Sequence, residues 1–193
     1  MKKRILAMIF AVVMACGAAG CGNAEENTAE APVEQPRAGE MIAYLQALPE
    51  EVPVELAVEN GFYTIKDRTA ENQAEWDEFA ASCENDEEAY IMVCQYTTKG
   101  GAVLDFVTYH EDGVFEVVTD TTRDGYNDEK SVLRAPEYYT EMKVFENFIL
   151  QEGGTEYTIC VWSDDPDLTE GDFRKYWTEM TMEENGVYML YVI

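Results

Sequence analysis

Positive charge is scarce in this chain. Thirteen basic residues stand against 39 acidic ones among 193 residues, a formal net charge of −26 with histidine neutral. That balance excludes nucleic-acid binding, which needs a basic footprint to displace counterions from phosphates. Histidine is scarcer still. His110 is the single one, and so the only easy proton shuttle near neutral pH. It ends a strand pattern beside Glu111 and Asp112 at a tight turn, and no G-x-S-x-G elbow accompanies it. The five cysteines include no C-x-x-C spacing, which leaves zinc and thioredoxin-like chemistry unsupported. The apolar stretch Ile5 to Ala15 has eleven residues, short of the roughly 20 that span a hydrocarbon core. Apolar mass is not lacking, however. At 47% apolar and 12% aromatic the chain can offset ordering entropy, so intrinsic disorder is excluded for its bulk.

Residues 1–20 read as a secretory signal, with Lys2, Lys3 and Arg4 as the charged region ahead of that apolar stretch. The small-residue run Ala18-Ala19-Gly20 leads into Cys21 and resembles a bacterial lipobox, in which cleavage leaves a cysteine that carries lipid. Cys21 is therefore the expected lipidation site. Removing residues 1–20 takes away three cations and no anion, so the mature chain has 10 basic and 39 acidic residues and a net charge of −29. A surface so acidic is repelled by anionic headgroups and phosphate-rich wall polymers. Attachment to the membrane is thus expected through the N-terminal lipid alone, on the outer face of the cytoplasmic membrane of a bacterium. Residues 21–40 hold almost no large apolar residue and read as an acidic flexible tether. Residues 41–193 then form one domain, large enough for a core without metal or disulfide.

Within that domain Met41, Leu45 and Leu48 predict a short helix ending at Pro49. Val54 to Asn60 predict a second, stopped by Gly61 in a left-handed conformation. Phe62 to Lys66 reads as a strand. Thr69 is the expected N-cap of the main helix, in which Trp76, Phe79, Ala80 and Cys83 share one face. Strands follow at Tyr90 to Tyr96, Val103 to His110 and Val114 to Thr119, with turns at Lys99-Gly100-Gly101 and Glu111-Asp112-Gly113. Tyr139 to Phe148 and Tyr157 to Trp162 form another pair, joined at Gly153-Gly154. Phe173, Tyr176, Trp177 and Met180 favour a helix within residues 168–183, and Val187 to Ile193 makes a final strand. The fold class is α+β: an antiparallel sheet, a meander of hairpins, with one main amphipathic helix on a face. Cys83, Cys94 and Cys160 can form one disulfide at most, and read as buried small apolar residues.

The order and spacing of several short motifs carry a resemblance. They are Ala57-Val58-Glu59-Asn60-Gly61, the helix with Trp76-Asp77-Glu78-Phe79, Tyr96-Thr97-Thr98-Lys99-Gly100, Tyr109-His110-Glu111-Asp112-Gly113 and Asp120-Thr121-Thr122-Arg123-Asp124. Together, over roughly residues 53–163, they resemble a family of short uncharacterised Gram-positive lipoproteins built on a domain of unknown function. The resemblance implies an envelope location and a fold, and no activity. The chain lacks the histidine the family often carries near Lys66-Asp67. Of the family's late cysteine pair it could match only the second, with Cys160.

Asp120, Arg123 and Asp124 are the candidate ligand contacts. Asp120 and Asp124, with Gly125 after them, follow part of a calcium-loop spacing, but Thr122 and Ser131 stand where acids belong. The plain alternative is an Asx-rich turn in which Arg123 pairs a neighbouring carboxylate. Asp164, Asp165, Asp167, Glu170 and Asp172 form a second acidic cluster, read as a solvated loop before a helix starting at Thr169. Tyr138, Tyr139, Trp162, Tyr176 and Trp177 could stack on a sugar or belong to the core. No catalytic set, metal site or cofactor motif assembles. The expected function is a lipid-anchored binding module whose natural partner is a basic protein or peptide. The alternatives are a carboxylate-based hydrolase of cell-wall glycans and a calcium-dependent adhesion module.

Overall fold

The computed structural model describes residues 40–125, 132–149 and 154–192. Residues 1–39, and with them Cys21, the signal segment and nearly all of the tether, lie outside the described residues. The domain opens with two short helices, Met41–Ala47 (α1) and Val54–Glu59 (α2). Gly61 follows at φ 75°, the left-handed stop its position predicts. Tyr63–Lys66 (β1) and Thr69–Glu71 (β2) make a hairpin, and Gln73–Glu84 (α3) is the main helix. Ala89–Tyr96 (β3), Ala102–Tyr109 (β4), Phe115–Asp120 (β5) and Glu137–Tyr139 (β6) continue as a meander. Glu141–Ile149 (β7), Glu156–Ser163 (β8), Glu170–Glu179 (α4) and Val187–Val192 (β9) complete the chain. Among the described residues, no helix is long and apolar enough to cross a membrane.

The α+β class holds, and the strand pairs are mostly antiparallel. They divide into a six-stranded sheet, β2-β1-β3-β4-β5-β6, and a three-stranded sheet, β7-β8-β9. The pair β1–β3 is parallel, with α3 in the crossover. Strand alternation explains the layers. On one face of the larger sheet Met92, Cys94, Leu104, Phe106 and Val118 pack against Tyr44, Leu45 and Leu48 of the α1 region. On the other, Val93, Val107, Tyr109, Phe115 and Val117 meet Trp76 and Phe79 of α3, and Cys160 and Trp162 of the smaller sheet. Full burial of each such aromatic contributes on the order of 2–3 kcal/mol. The smaller sheet covers its outer face with α4, where Phe148, Ile159 and Val161 pack on Phe173.

Two expectations are corrected. Thr69 does not cap α3. It pairs with Lys66 in the β1–β2 hairpin, and Asn72 precedes the helix at φ 59°. The turn between those strands, Asp67 and Arg68 at φ 49° and 65°, has the left-handed pair of a two-residue hairpin without the usual glycine. Asn72 Nδ2 donates to Val58 O and Phe62 O, which fastens the start of α3 to the end of α2. Nor is Tyr139 to Phe148 one strand. Tyr139 ends β6 in the larger sheet and Glu141 begins β7 in the smaller, so Thr140 is the crossing point; its amide is held by Asp164 Oδ1 at 3.2 Å. The predicted join at Gly153-Gly154 falls partly outside the described residues.

Thr169 starts α4 as expected. Its hydroxyl accepts from the Asp172 amide at 3.2 Å, while Asp172 Oδ2 accepts from the Thr169 amide at 3.2 Å, a reciprocal capping box. The Thr169 hydroxyl, which also donates to Asp172 Oδ2, and then the Thr169 amide hold the Asp172 carboxyl below its ordinary range. Thr169→Ala is expected to cost about 1 kcal/mol, measured as a lower urea midpoint, with Thr169→Ser close to wild type. Gly101 marks a closer fit. A Cβ there would stand 2.0 Å from the Gly125 amide nitrogen and 2.5 Å from Arg123 O. Both are backbone atoms, so Gly101→Ala should displace the turn after β5 and lower stability by about 1–3 kcal/mol, read in thermal unfolding.

Candidate functional site

The turn after β5 brings Asp120, Arg123 and Asp124 together, and gives the first two a structural task. Asp120 Oδ1 accepts from the Thr122 amide at 2.8 Å and the Thr122 hydroxyl at 2.6 Å, and Oδ2 accepts from Arg123 Nη1. Arg123 reaches back to α1. Its Nε donates to Pro49 O at 2.7 Å, and Nη2 donates to Leu45 O and Leu48 O, each at 2.9 Å. Nη1 also meets Thr122 Oγ1 at 3.3 Å. The guanidinium thus satisfies carbonyls that the end of α1 would otherwise leave open, and its donor fork is used within the domain. This is the pairing of Arg123 with a neighbouring carboxylate, extended to a helix end. Asp124 lies half-buried on the same turn, its amide donating to Thr121 O at 3.1 Å. Positions 126–131 of the calcium-like spacing lie outside the described residues. Among the described residues no group of three or more histidine, cysteine or acidic side chains is placed to hold a metal ion.

The other sequence candidates disperse. Asp164, Asp165 and Asp172 hold backbone amides of Thr140, Asp167 and Thr169. The suggested aromatic platform does not form, because Tyr139 and Trp162 are core while Tyr138 is exposed. His110 is half-buried, with Nε2 2.8 Å from Glu116 Oε2. Cys83, Cys94 and Cys160 are unbridged. Burial pushes the thiols of Cys83 and Cys94 up to about 12, and that of Cys160 well above its ordinary value, so all three are held protonated.

A site that the motifs did not mark lies between the two sheets. A cavity of about 360 Å³ is lined by Tyr96, Thr97 and Asp105 of the larger sheet and its turn, Arg68 of the β1–β2 turn, and Tyr157 and Tyr188 of the smaller sheet. Asp105 is fully buried. Its Oδ1 accepts from Tyr188 Oη at 2.5 Å and from Thr119 Oγ1 at 2.8 Å, and the two hydroxyl oxygens are 3.2 Å apart. Its Oδ2 is buried without a hydrogen-bond partner, as is Thr97 Oγ1. Two unpartnered polar atoms in residues lining one cavity are unusual, since buried polar groups are nearly always paired. Burial pushes the Asp105 carboxyl up to about 6. The bonds from Tyr188 and Thr119 and the charge of Arg134 oppose that rise, and Glu137 adds to it. Burial and the facing carboxylate push the Tyr188 hydroxyl well above its ordinary value. In this pair the Tyr188 hydroxyl is the donor and the Asp105 carboxyl the acceptor.

Comparison with protein-family models, curated proteins and solved structures returns no match. The site must therefore be read from its own residues. A larger groove, about 580 Å³, runs past Glu50, Glu51, Glu55, Lys66, Lys99 and Arg123. Apart from Arg123 those charges are exposed, and no buried side-chain polar atom among its described lining residues lacks a partner. The interlayer cavity is the stronger candidate. Its signal in the sequence was one acid within the apolar run Val103-Leu104-Asp105-Phe106-Val107, on the face that also carries Val107 and Tyr109.

Proposed function

We propose that this chain is a lipid-anchored extracytoplasmic protein of a Gram-positive envelope, held at Cys21, whose α+β domain is a binding module with the interlayer cavity as its ligand site. The observation that carries the binding role is the cavity itself. Both sheets contribute tyrosines to it, and a buried carboxylate there keeps one oxygen unpaired. Apolar walls with a few convergent polar groups are the general character of small-ligand sites. The lipobox, the tether and the likeness to uncharacterised lipoproteins support the location. The net charge of −29 supports a basic protein or peptide as a macromolecular partner, through steering that fades with salt.

Two measurements test this. In cells grown with a labelled fatty acid the tagged wild type is expected to take up label and Cys21→Ala none; equal labelling of the variant would reject the anchor. Native mass spectrometry of the full chain extracted in mild detergent should show a small-molecule adduct that disappears in Val103→Trp, because Val103 of β4 also lines the cavity and the larger ring fills it. An adduct that survives this substitution would place binding elsewhere.

A further inference from the structure

We propose that the interlayer cavity binds a small zwitterion of amino-acid type, its ammonium group paired with Asp105 and its carboxylate with Arg68. This rests on the reading of the cavity as the ligand site. An ionised carboxylate away from water is unfavourable unless it is paired and hydrogen-bonded. Tyr188 and Thr119 satisfy Oδ1 only. Oδ2 is left for a donor that the described residues do not supply. A primary ammonium supplies three N–H donors. Asp105 Oδ2 and the unpartnered Thr97 Oγ1, both in residues that line the cavity, are acceptors for them.

Arg68 decides the other end of the ligand. It is exposed at the rim, on a turn whose two residues both have positive φ. Its guanidinium lies 5.6 Å from the Tyr157 ring centroid, and Nη1 donates to Thr155 Oγ1 at 2.9 Å. A planar fork held in this way matches a carboxylate. Asp67, beside it at the rim, is exposed and solvated. A pure anion would meet Asp105 and a chain of strongly negative charge, whereas a pure cation would meet Arg68. A zwitterion satisfies both ends. The volume, about 360 Å³, is at the small end of ligand pockets and suits a molecule of amino-acid size. A divalent metal ion fits poorly, because calcium needs six or more oxygen ligands.

The test is calorimetric titration of the full chain in detergent, near neutral pH, with glycine, 4-aminobutyrate and 6-aminohexanoate, against butyrate, putrescine and p-cresol. At least one amino acid should bind at least about tenfold more tightly than butyrate and putrescine. Asp105→Asn should weaken it by about tenfold or more. Arg68→Gln should remove its advantage over putrescine, and this exposed substitution keeps the test decisive if Asp105→Asn does not fold. Putrescine binding as well as the amino acids, with Arg68→Gln inert, would overturn the zwitterion. Binding of butyrate or p-cresol alone, abolished by Val103→Trp, would overturn it too while leaving the cavity as the ligand site. Silence from all six probes would count against both.

Discussion

Replacement of Arg123 by methionine is expected to destabilise the domain by about 3–5 kcal/mol, the usual result of stranding one member of a buried ion pair. The Arg123 side chain is 8% exposed and that of Asp120 2%, so the partner left behind has little access to water. The carbonyls of Leu45, Leu48 and Pro49 lose their donors in the same step. For a domain of this size the fall in Tm should be on the order of 10 °C. Arg123→Lys keeps the charge beside Asp120 without the planar fork, and should recover about half of the loss. A methionine variant within about 1 kcal/mol of wild type would mean that the turn is solvated and that α1 does not depend on it.

The second large effect depends on pH. Asp105 has an ordinary carboxyl value of 3.8, raised in the folded domain to about 6. Between those values the folded state holds a proton that the unfolded state has lost. The contribution of Asp105 to stability is therefore greatest below about pH 4, falls as pH rises toward 6, and stays constant above that. The rise from 3.8 to about 6 corresponds to roughly 3 kcal/mol. Other carboxylates titrate over the same interval, so the measurement is a difference against Asp105→Asn, which has no proton to exchange. Between about pH 7.5 and pH 4 the wild type should gain roughly 2–3 kcal/mol of unfolding free energy relative to the variant. A difference that stays flat would show that Asp105 titrates in the folded domain as it does in water.

Local chemistry was legible in the sequence where it was self-contained. The hairpins β3–β4 and β4–β5 were written in alternating apolar residues and glycine turns. The face of α3 was written in Trp76 and Phe79, and the start of α4 in Thr169 and Asp172. The β1–β2 hairpin was hidden because Asp67 and Arg68 adopt left-handed conformations without a glycine to announce them. The division into two sheets was hidden because only Thr140 separates β6 from β7, too short a break for periodicity to register. The Asp120–Arg123 pairing was legible as a turn, but its grip on α1 spans 78 residues from Arg123 to Leu45. The cavity was least legible of all, since nothing near Asp105 in the sequence indicates that Tyr188 will meet it.

That last contact also orders events in time. Tyr188 follows Asp105 by 83 residues, so at about 5–20 residues per second of synthesis the acid waits roughly 4 to 17 s for its phenol. During that interval the meander β3–β4–β5 can already pair, because its partners are close neighbours in the chain. The helix α3 precedes that meander, so Trp76 and Phe79 are already at hand for the same face, and Thr119 of β5 brings Asp105 its first hydroxyl donor. The late strand β9 then supplies the second donor, Tyr188, so the hydrogen bonding of Asp105 Oδ1 is completed only with the last strand.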